Sequence, residues 1–428
     1  MELMNARGTR DFPPEDKIVR QKVIDILRGV FELYGFSPLE TPIIERLDVL
    51  SAKYAGGSEI LKETFKFNDQ GERELCLRYD LTVPLARFVG MNRTMKMPFK
   101  RYAIGRVFRD GPIKTGRYRE FWQCDVDIVG SKSMLADAQC LQIALKFFSE
   151  IGLEFRIEFN SRKILDGMME QAGVSEDRRM DAILEIDKLK KIGWDAVEEG
   201  LGTVGLGAPA IQVIKTIVNL SGSNSEKLEK IKELIDNETG VAGIAEIEEI
   251  ASYVSDERVE FSPALARGLA YYTGPVFEVY LKDTSKFGSS LAAGGRWDKM
   301  IGDFLGGGKE YPAVGISFGI EPITTVLGML KNDDAGVLTV TKVYVIPIQT
   351  AVESTKVCEQ LRAAGIKTDM DIIGRGISKN LDYANKMGIP YVLFVGEDEL
   401  KQGKFKLKDM KSGEEELLSV EEVVEKVK

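Results

Sequence analysis

Apolar positions recur every three to four residues between 16 and 34, where Val19, Val23, Ile26, Leu27, Val30, Phe31 and Tyr34 make one stripe. That spacing predicts an amphipathic helix, started by Asp16 or Pro14 and stopped by Gly35. Residues 38–45 hold two prolines, and each residue before a proline is pushed out of the helical region, so this stretch is predicted extended. Strict alternation then runs from 64 to 130 (Phe65/Phe67, Leu75/Leu77, Tyr102/Ile104, Val126/Ile128) with Gly and Pro turns, and predicts an antiparallel sheet. A helix at 134–151 and a strand at 153–160 follow. From 161 to 255 the pattern turns helical, with periodic segments at 181–192 and 225–237 and a glycine-rich joint at 200–209. Strands resume at 276–281, 289–294 and 313–320. Residues 331–341 are polar and read as a linker. Beyond it come strand 342–348, helix 351–364, strand 366–372, helix 377–387, strands 389–395 and 403–409 and helix 419–427, an α/β pattern.

Composition narrows the function. A chain of 428 residues has room for two or three domains, and its 44% apolar content is that of an ordinary globular protein. It has no apolar run of membrane-spanning length and no signal-peptide core near the N-terminus, so a cytoplasmic protein is expected. The four cysteines are scattered, with no CxxC, and read as reduced thiols rather than a metal site. Net charge is −9, which argues against coating nucleic acid but leaves room for a local basic patch. Histidine is absent. That removes histidine-based nucleophile schemes, histidine general bases and imidazole metal sites, so no metal-ligating residue is predicted.

The candidate chemistry lies in residues 109–127. From Arg93 to Arg119 nine basic residues face one acid, Asp110. Arg109, Arg117 and Arg119 bracket a Gly/Pro turn, and guanidinium forks match phosphate geometry. The strand after the turn carries Gln123, Asp125 and Asp127, acceptors suited to an ammonium or a ring N–H. Reading a phosphate and an amine in one place is what amino-acid activation needs.

Four stretches carry a family resemblance: Arg109-Asp110-Gly111-Pro112 through Asp127, Leu77-Arg78-Tyr79-Asp80-Leu81-Thr82-Val83-Pro84, Ala266-Arg267-Gly268-Leu269-Ala270-Tyr271-Tyr272, and Gly294-Gly295-Arg296-Trp297-Asp298. In this order they resemble class II aminoacyl-tRNA synthetases of the histidyl-tRNA synthetase family. The resemblance implies an α+β fold: an antiparallel-sheet catalytic domain at 1–330 with a helical insertion at 161–255, then an α/β anticodon-binding domain at 342–428. It implies activation of histidine with MgATP, transfer to the 3′ end of a cognate tRNA, and a homodimer whose interface includes the first helix and the extended segment after it. Arg109 and Arg267 are then the catalytic arginines on the α-phosphate. Asp80, Thr82 and Gln123 surround the α-ammonium, and Asp127, Tyr271 and Tyr272 the imidazole, with Arg109 and Arg267 also near the amino acid. Arg117, Arg119 and Arg296 join Arg109 as ATP contacts. Asp125 is expected to pair with a nearby arginine. Two departures stand out: Ala270 replaces a frequent Asp, and Pro322 in Gly319-Ile320-Glu321-Pro322 replaces the usual third-motif arginine. They keep open an alternative, a catalytically weakened paralogue that regulates an ATP phosphoribosyltransferase of histidine biosynthesis.

Overall fold

The computed structural model describes residues 2–53, 61–113, 116–267, 271–306, 308–330 and 338–428. Contacts divide the chain into two compact units, Met1–Arg10 with Val23–Leu330, and Asp11–Lys22 with Lys331–Lys428. Most of the expected linker lies outside the described residues.

In the first unit the strands are β1 (Ser37–Pro38), β2 (Ile44–Arg46), β3 (Lys66–Asn68), β4 (Glu74–Leu77), β5 (Phe99–Phe108), β6 (Glu120–Val129), β7 (Phe155–Ser161), β8 (Val259–Phe261), β9 (Pro275–Leu281), β10 (Ala292–Arg296) and β11 (Ala313–Gly319). Eight form one sheet in the order β1-β5-β6-β11-β10-β9-β7-β8, while β2, β4 and β3 form a small second sheet. Pairing from β5 through β7 is antiparallel throughout, and only the edge strands β1 and β8 join in parallel. The alternation over 64–130 also hides a helix, Thr82–Met91, whose buried Val83, Leu85, Ala86 and Val89 follow helical spacing.

Side chains alternate across a strand, so the register assigns each residue a face. One face presents Tyr102, Cys124, Val126, Ile128, Ile316, Phe318, Phe277, Val279, Ile157 and Phe159, all buried in the main core. Helix Leu135–Glu150 and the part of helix Pro14–Leu33 from Val23 onward help cover it: Phe31 lies 5.7 Å and Phe147 5.3 Å from Phe318, ring centre to ring centre. Each such buried aromatic contributes about 1.5–3 kcal/mol by transfer from water. Between β7 and β8 the chain forms seven helices, from Arg162–Gln171 to Glu238–Tyr253, and no strand among the described residues.

The second unit builds its own sheet, β12 (Val343–Pro347), β13 (Thr368–Met370), β14 (Tyr391–Val395), β15 (Phe405–Asp409) and β16 (Glu415–Leu418), in the order β13-β12-β14-β15-β16. Strands β13, β12 and β14 are parallel, with helices Ala351–Ala363 and Ile377–Lys386 as crossovers, while β15 and β16 add antiparallel. Its cores gather around Val343, Val345, Leu361 and Leu393 on one side and Tyr344, Ile346, Ala384 and Phe394 on the other. The architecture is mixed α/β, with an antiparallel-dominated sheet in the first unit.

Candidate active site

The other face of the large sheet is polar and low. Across the strands one row reads Arg101, Asp127, Gly315, Gly295; the next reads Ala103, Asp125, Ser317, Ala293, Glu278, Glu158; a third reads Gly105, Gln123, Gly319. Glycine and alanine supply a floor, and the charged groups stand on it. At Gly315 an added Cβ would sit 2.1 Å from Asp127 Oδ1, and at Gly295 one would sit 2.8 Å from the Tyr272 ring. Asp127 and Tyr272 therefore lie over neighbouring floor positions on β11 and β10, where any larger residue would collide with them.

Several acceptors and donors meet here. Asp127 Oδ2 lies 2.7 Å from Nη2 of Arg101, a fully buried arginine. Asp125 is buried and hydrogen-bonded to Ser317; burial pushes its carboxyl up to about 7, with Asp127 adding to the rise and Arg101 opposing it. Gln123 donates to Ser317 Oγ at 2.9 Å, while its Oε1 is buried without a hydrogen-bond partner among the described residues. Such an acceptor is costly unless a ligand donor meets it. Asp80 Oδ1 accepts the backbone N–H groups of Thr82 (3.0 Å) and Val83 (2.9 Å), bracing the start of helix Thr82–Met91. Tyr271 and Tyr272 pack with ring centres 4.6 Å apart. Burial, with help from Tyr272 and Asp80, holds the Tyr271 hydroxyl well above its usual pKa.

Arg267 donates to Glu278 Oε1 at 2.7 Å and lies 5.7 Å from the Tyr272 ring centre. Burial works against its charge, but Tyr272 and Glu278 outweigh burial and raise its pKa. Glu278 also accepts the Tyr280 hydroxyl, and Lys190 stands 4.2 Å from the Tyr280 ring centre while pairing with Glu158. Arg109 is clamped between rings, 4.2 Å from that of Tyr79 and 5.0 Å from that of Phe121. The Tyr79 hydroxyl in turn donates to Glu63 at 3.0 Å. Arg119 pairs with Asp110 at 3.0 Å, and Arg117 is exposed.

Two expectations need correction. Arg296, expected on ATP, is held by protein carboxylates and carbonyls, although it also lines a cavity with Tyr271 and Tyr272. It registers with Val314 and so projects to the apolar face, away from Asp127 and Gln123. There it is 2% exposed and donates to Asp137, Asp298 and the carbonyls of Ser131 and Ser133. The arginine-paired acid is Asp127, not Asp125, because antiparallel register sets Arg101 directly opposite Asp127. Arg101 itself escaped sequence reasoning; counting back from the hairpin turn would have found it. Pro322 occupies the first turn of helix Ile320–Leu330, where its missing N–H costs nothing, and the preceding Glu321 accepts the Trp122 N–H at 3.0 Å. Gly268, Leu269 and Ala270 lie outside the described residues, so the departure at Ala270 has no structural account. Among the described residues no helix is long and apolar enough to cross a membrane, and all four cysteines are free and buried.

Comparison with known proteins agrees along the whole chain. Residues 8–323 match the family model described as histidyl-tRNA synthetase, and residues 342–428 match an anticodon binding domain. A curated relative from Bacillus cereus, Histidine--tRNA ligase 1, is 42% identical over 421 residues, 97% of each chain. Histidine--tRNA ligase 2 of Shouchella clausii is 43% identical over 97% of this chain and 98% of its own. A crystal structure of histidyl-tRNA synthetase from Nostoc superposes with a TM-score of 0.89 at 32% identity, covering 100% of this chain and 99% of the other. A Bacillus halodurans structure described as an ATP phosphoribosyltransferase regulatory subunit/histidyl-tRNA synthetase shares the fold, with a TM-score of 0.75 at 22% identity, over 92% of this chain and 99% of the other. The chain belongs to the histidyl-tRNA synthetase family.

Proposed function

We propose that the polar face of the eight-stranded sheet activates histidine with MgATP and hands the product to tRNA. The chain is a ligase, a histidine–tRNA ligase by full-length kinship. The observation that carries the site assignment is the shared face: Gln123, Asp125, Asp127 and Glu278 stand in register over a small-residue floor, with Arg267 and Tyr272 against it. In the first step a carboxylate oxygen of histidine attacks the α-phosphorus, the α–β bridging P–O bond breaks, and pyrophosphate leaves. In the second, a ribose hydroxyl at the tRNA 3′ end attacks the adenylate carbonyl and AMP leaves. Neither step needs a side-chain nucleophile, so alignment and charge stabilisation do the work.

Arg109 and Arg267 hold the α-phosphate and the carboxylate. Asp80, Thr82 and Gln123 take the α-ammonium, and Gln123 Oε1 is the buried acceptor that awaits it. Asp127, Tyr271 and Tyr272 take the ring. Arg117 and Arg119 reach the distal phosphates, and Mg2+ enters with ATP as part of that substrate. Residues 1–330 are the catalytic domain with 161–255 as insertion, and 342–428 bind the anticodon arm. The protein is cytoplasmic and homodimeric; exposed Leu33 (72%), Ile44 (51%) and Met91 (73%) supply apolar surface for a partner copy. The relatives named as ligases, together with the matched anticodon binding domain, disfavour the regulatory alternative. Histidine-dependent ATP–pyrophosphate exchange, followed by tRNA charging, tests the reading. Purified protein that exchanges no label with histidine, yet does so with another amino acid, would overturn it.

A further inference from the structure

Arg101 has no exposed surface, yet among the described residues only its Nη2 has partners, Asp127 Oδ2 at 2.7 Å and the Leu81 carbonyl at 3.1 Å. Its Nε and Nη1 are buried with no hydrogen-bond partner among the described residues. A buried ion pair this incompletely bonded is poor value for stability, and an apolar side chain of similar size would fill the space at least as well. Its location suggests a use. Arg101 and Asp127 are cross-strand neighbours, and Asp127 lies over Gly315 beside the Gly295 position that Tyr272 covers.

We propose that Arg101 is a positioning residue of the ring pocket: it holds Asp127 as an anion, turned onto the glycine floor, so that the pocket accepts the N–H of a neutral imidazole and rejects the imidazolium. This rests on the histidine assignment above. The charge count around the pair supports it. Asp125 on β6, Asp80 before helix Thr82–Met91 and Arg78 beyond β4 all act on this cluster, and Asp127 acts electrostatically on Cys140 of helix Leu135–Glu150, in the core under the opposite face. Burial keeps the Cys140 thiol neutral and lifts Asp125 to about 7. The Arg101 cation thus balances Asp127, and the cluster has little surplus negative charge with which to hold a cationic ring.

The chain contains no histidine, so the substrate carries the only imidazole in a tRNA-free exchange assay. The test measures KM and kcat against pH for histidine and for triazolylalanine, whose ring stays neutral, in wild type, Arg101→Met and Arg101→Lys. In wild type kcat/KM for histidine should bend near the free ring pKa, about 6.5, and triazolylalanine should show only the shallower dependence that Asp125, lifted to about 7, imparts to both substrates. In Arg101→Met the guanidinium beside Asp127 is gone, and the anionic form of this buried carboxyl is harder to hold. KM for histidine should then rise at least tenfold, KM for ATP stay within twofold, and triazolylalanine show a steeper acid limb than in wild type. Arg101→Lys should fall between, because lysine keeps the positive charge on a shorter side chain that does not bring it to the Nη2 position between Asp127 and Leu81. Wild-type KM and pH profiles in Arg101→Met overturn the inference while leaving the histidine assignment intact. Should that variant fail to fold, an Arg101→Lys enzyme with wild-type histidine KM and a wild-type pH profile with triazolylalanine overturns it equally. No histidine-dependent exchange in wild type would instead strike at the assignment itself.

Discussion

Replacing Arg296 by methionine separates a structural arginine from a nucleotide-binding one. Arg296 is 3% exposed at its side chain and Asp137 is fully buried beneath it, bonded to both Nε and Nη2. Burial pushes the Asp137 carboxyl up and Arg296 works against that push, so the variant leaves Asp137 buried with its counter-charge gone. The Ser131 and Ser133 carbonyls and Asp298 lose donors as well. Breaking one side of a buried pair costs about 3–5 kcal/mol. The first unit holds roughly 320 residues. At about 2.1 cal/mol/K per residue its unfolding entropy is near 0.7 kcal/mol/K, so Tm should drop by about 4–7 °C. Differential scanning calorimetry reads the drop, and pyrophosphate exchange below the transition reads KM for ATP, which should stay within twofold. Adding Asp137→Leu should recover much of the loss, since an apolar pair of similar volume often replaces a buried ion pair without penalty. A Tm within 1 °C of wild type, with KM for ATP raised tenfold, would refute the structural assignment.

Arg267→Lys should cut kcat of exchange tenfold or more, because a point charge cannot reproduce a fork held by Glu278; unchanged kcat and kcat/KM would remove Arg267 from the chemistry. Gly315→Ala places a methyl 2.1 Å from Asp127 Oδ1 and 2.7 Å from the Val126 carbonyl. Stability should fall by about 1–3 kcal/mol and KM for histidine should rise, and an alanine enzyme with wild-type KM and Tm would contradict the floor. Asp125 binds its proton more tightly folded than unfolded, since burial lifts its pKa from 3.8 to about 7. The stability tied to that proton is complete below about pH 4 and is lost as pH rises through about 7. Asp125→Asn should therefore flatten the decline of Tm across that window, and an unchanged slope in a pH series of melts would exclude this role.

Long, strongly periodic segments were legible from sequence alone. The stripe over 16–34 appears as helix Pro14–Leu33, and 134–151 as Leu135–Glu150. The extended segment 38–45 contains only the ends of β1 and β2, because its prolines remove ladder donors. Helix Thr82–Met91 was lost inside a sheet reading: Pro84 sits in its first turn, where proline is tolerated, but in the sequence it reads as a break. Strand β10 was expected near 289–294 and runs Ala292–Arg296, since two glycines blank out the alternation that sets a boundary. In the candidate site, residue types were legible but faces were not. Arg296 in its Gly-Gly-Arg setting looked like a phosphate ligand, whereas only the register with Val314 reveals that it points into the opposite core. Asp125 and Asp127 share a face, so choosing the arginine's partner between them needed the cross-strand position of Arg101.

The glycines under Asp127 and Tyr272 constrain how this site can change. Every other amino acid carries more atoms than glycine, so drift at positions 295 and 315 runs one way, toward obstruction. No single replacement there can enlarge the pocket. On the proposed assignment of the ring pocket, an enzyme reshaped to charge bulkier histidine analogues must gain its space from side chains such as Tyr271 or Tyr272, while the floor is left untouched. Selection for a new substrate would accordingly leave its record in the tyrosines, and selection against the old activity would find its shortest route through the glycines.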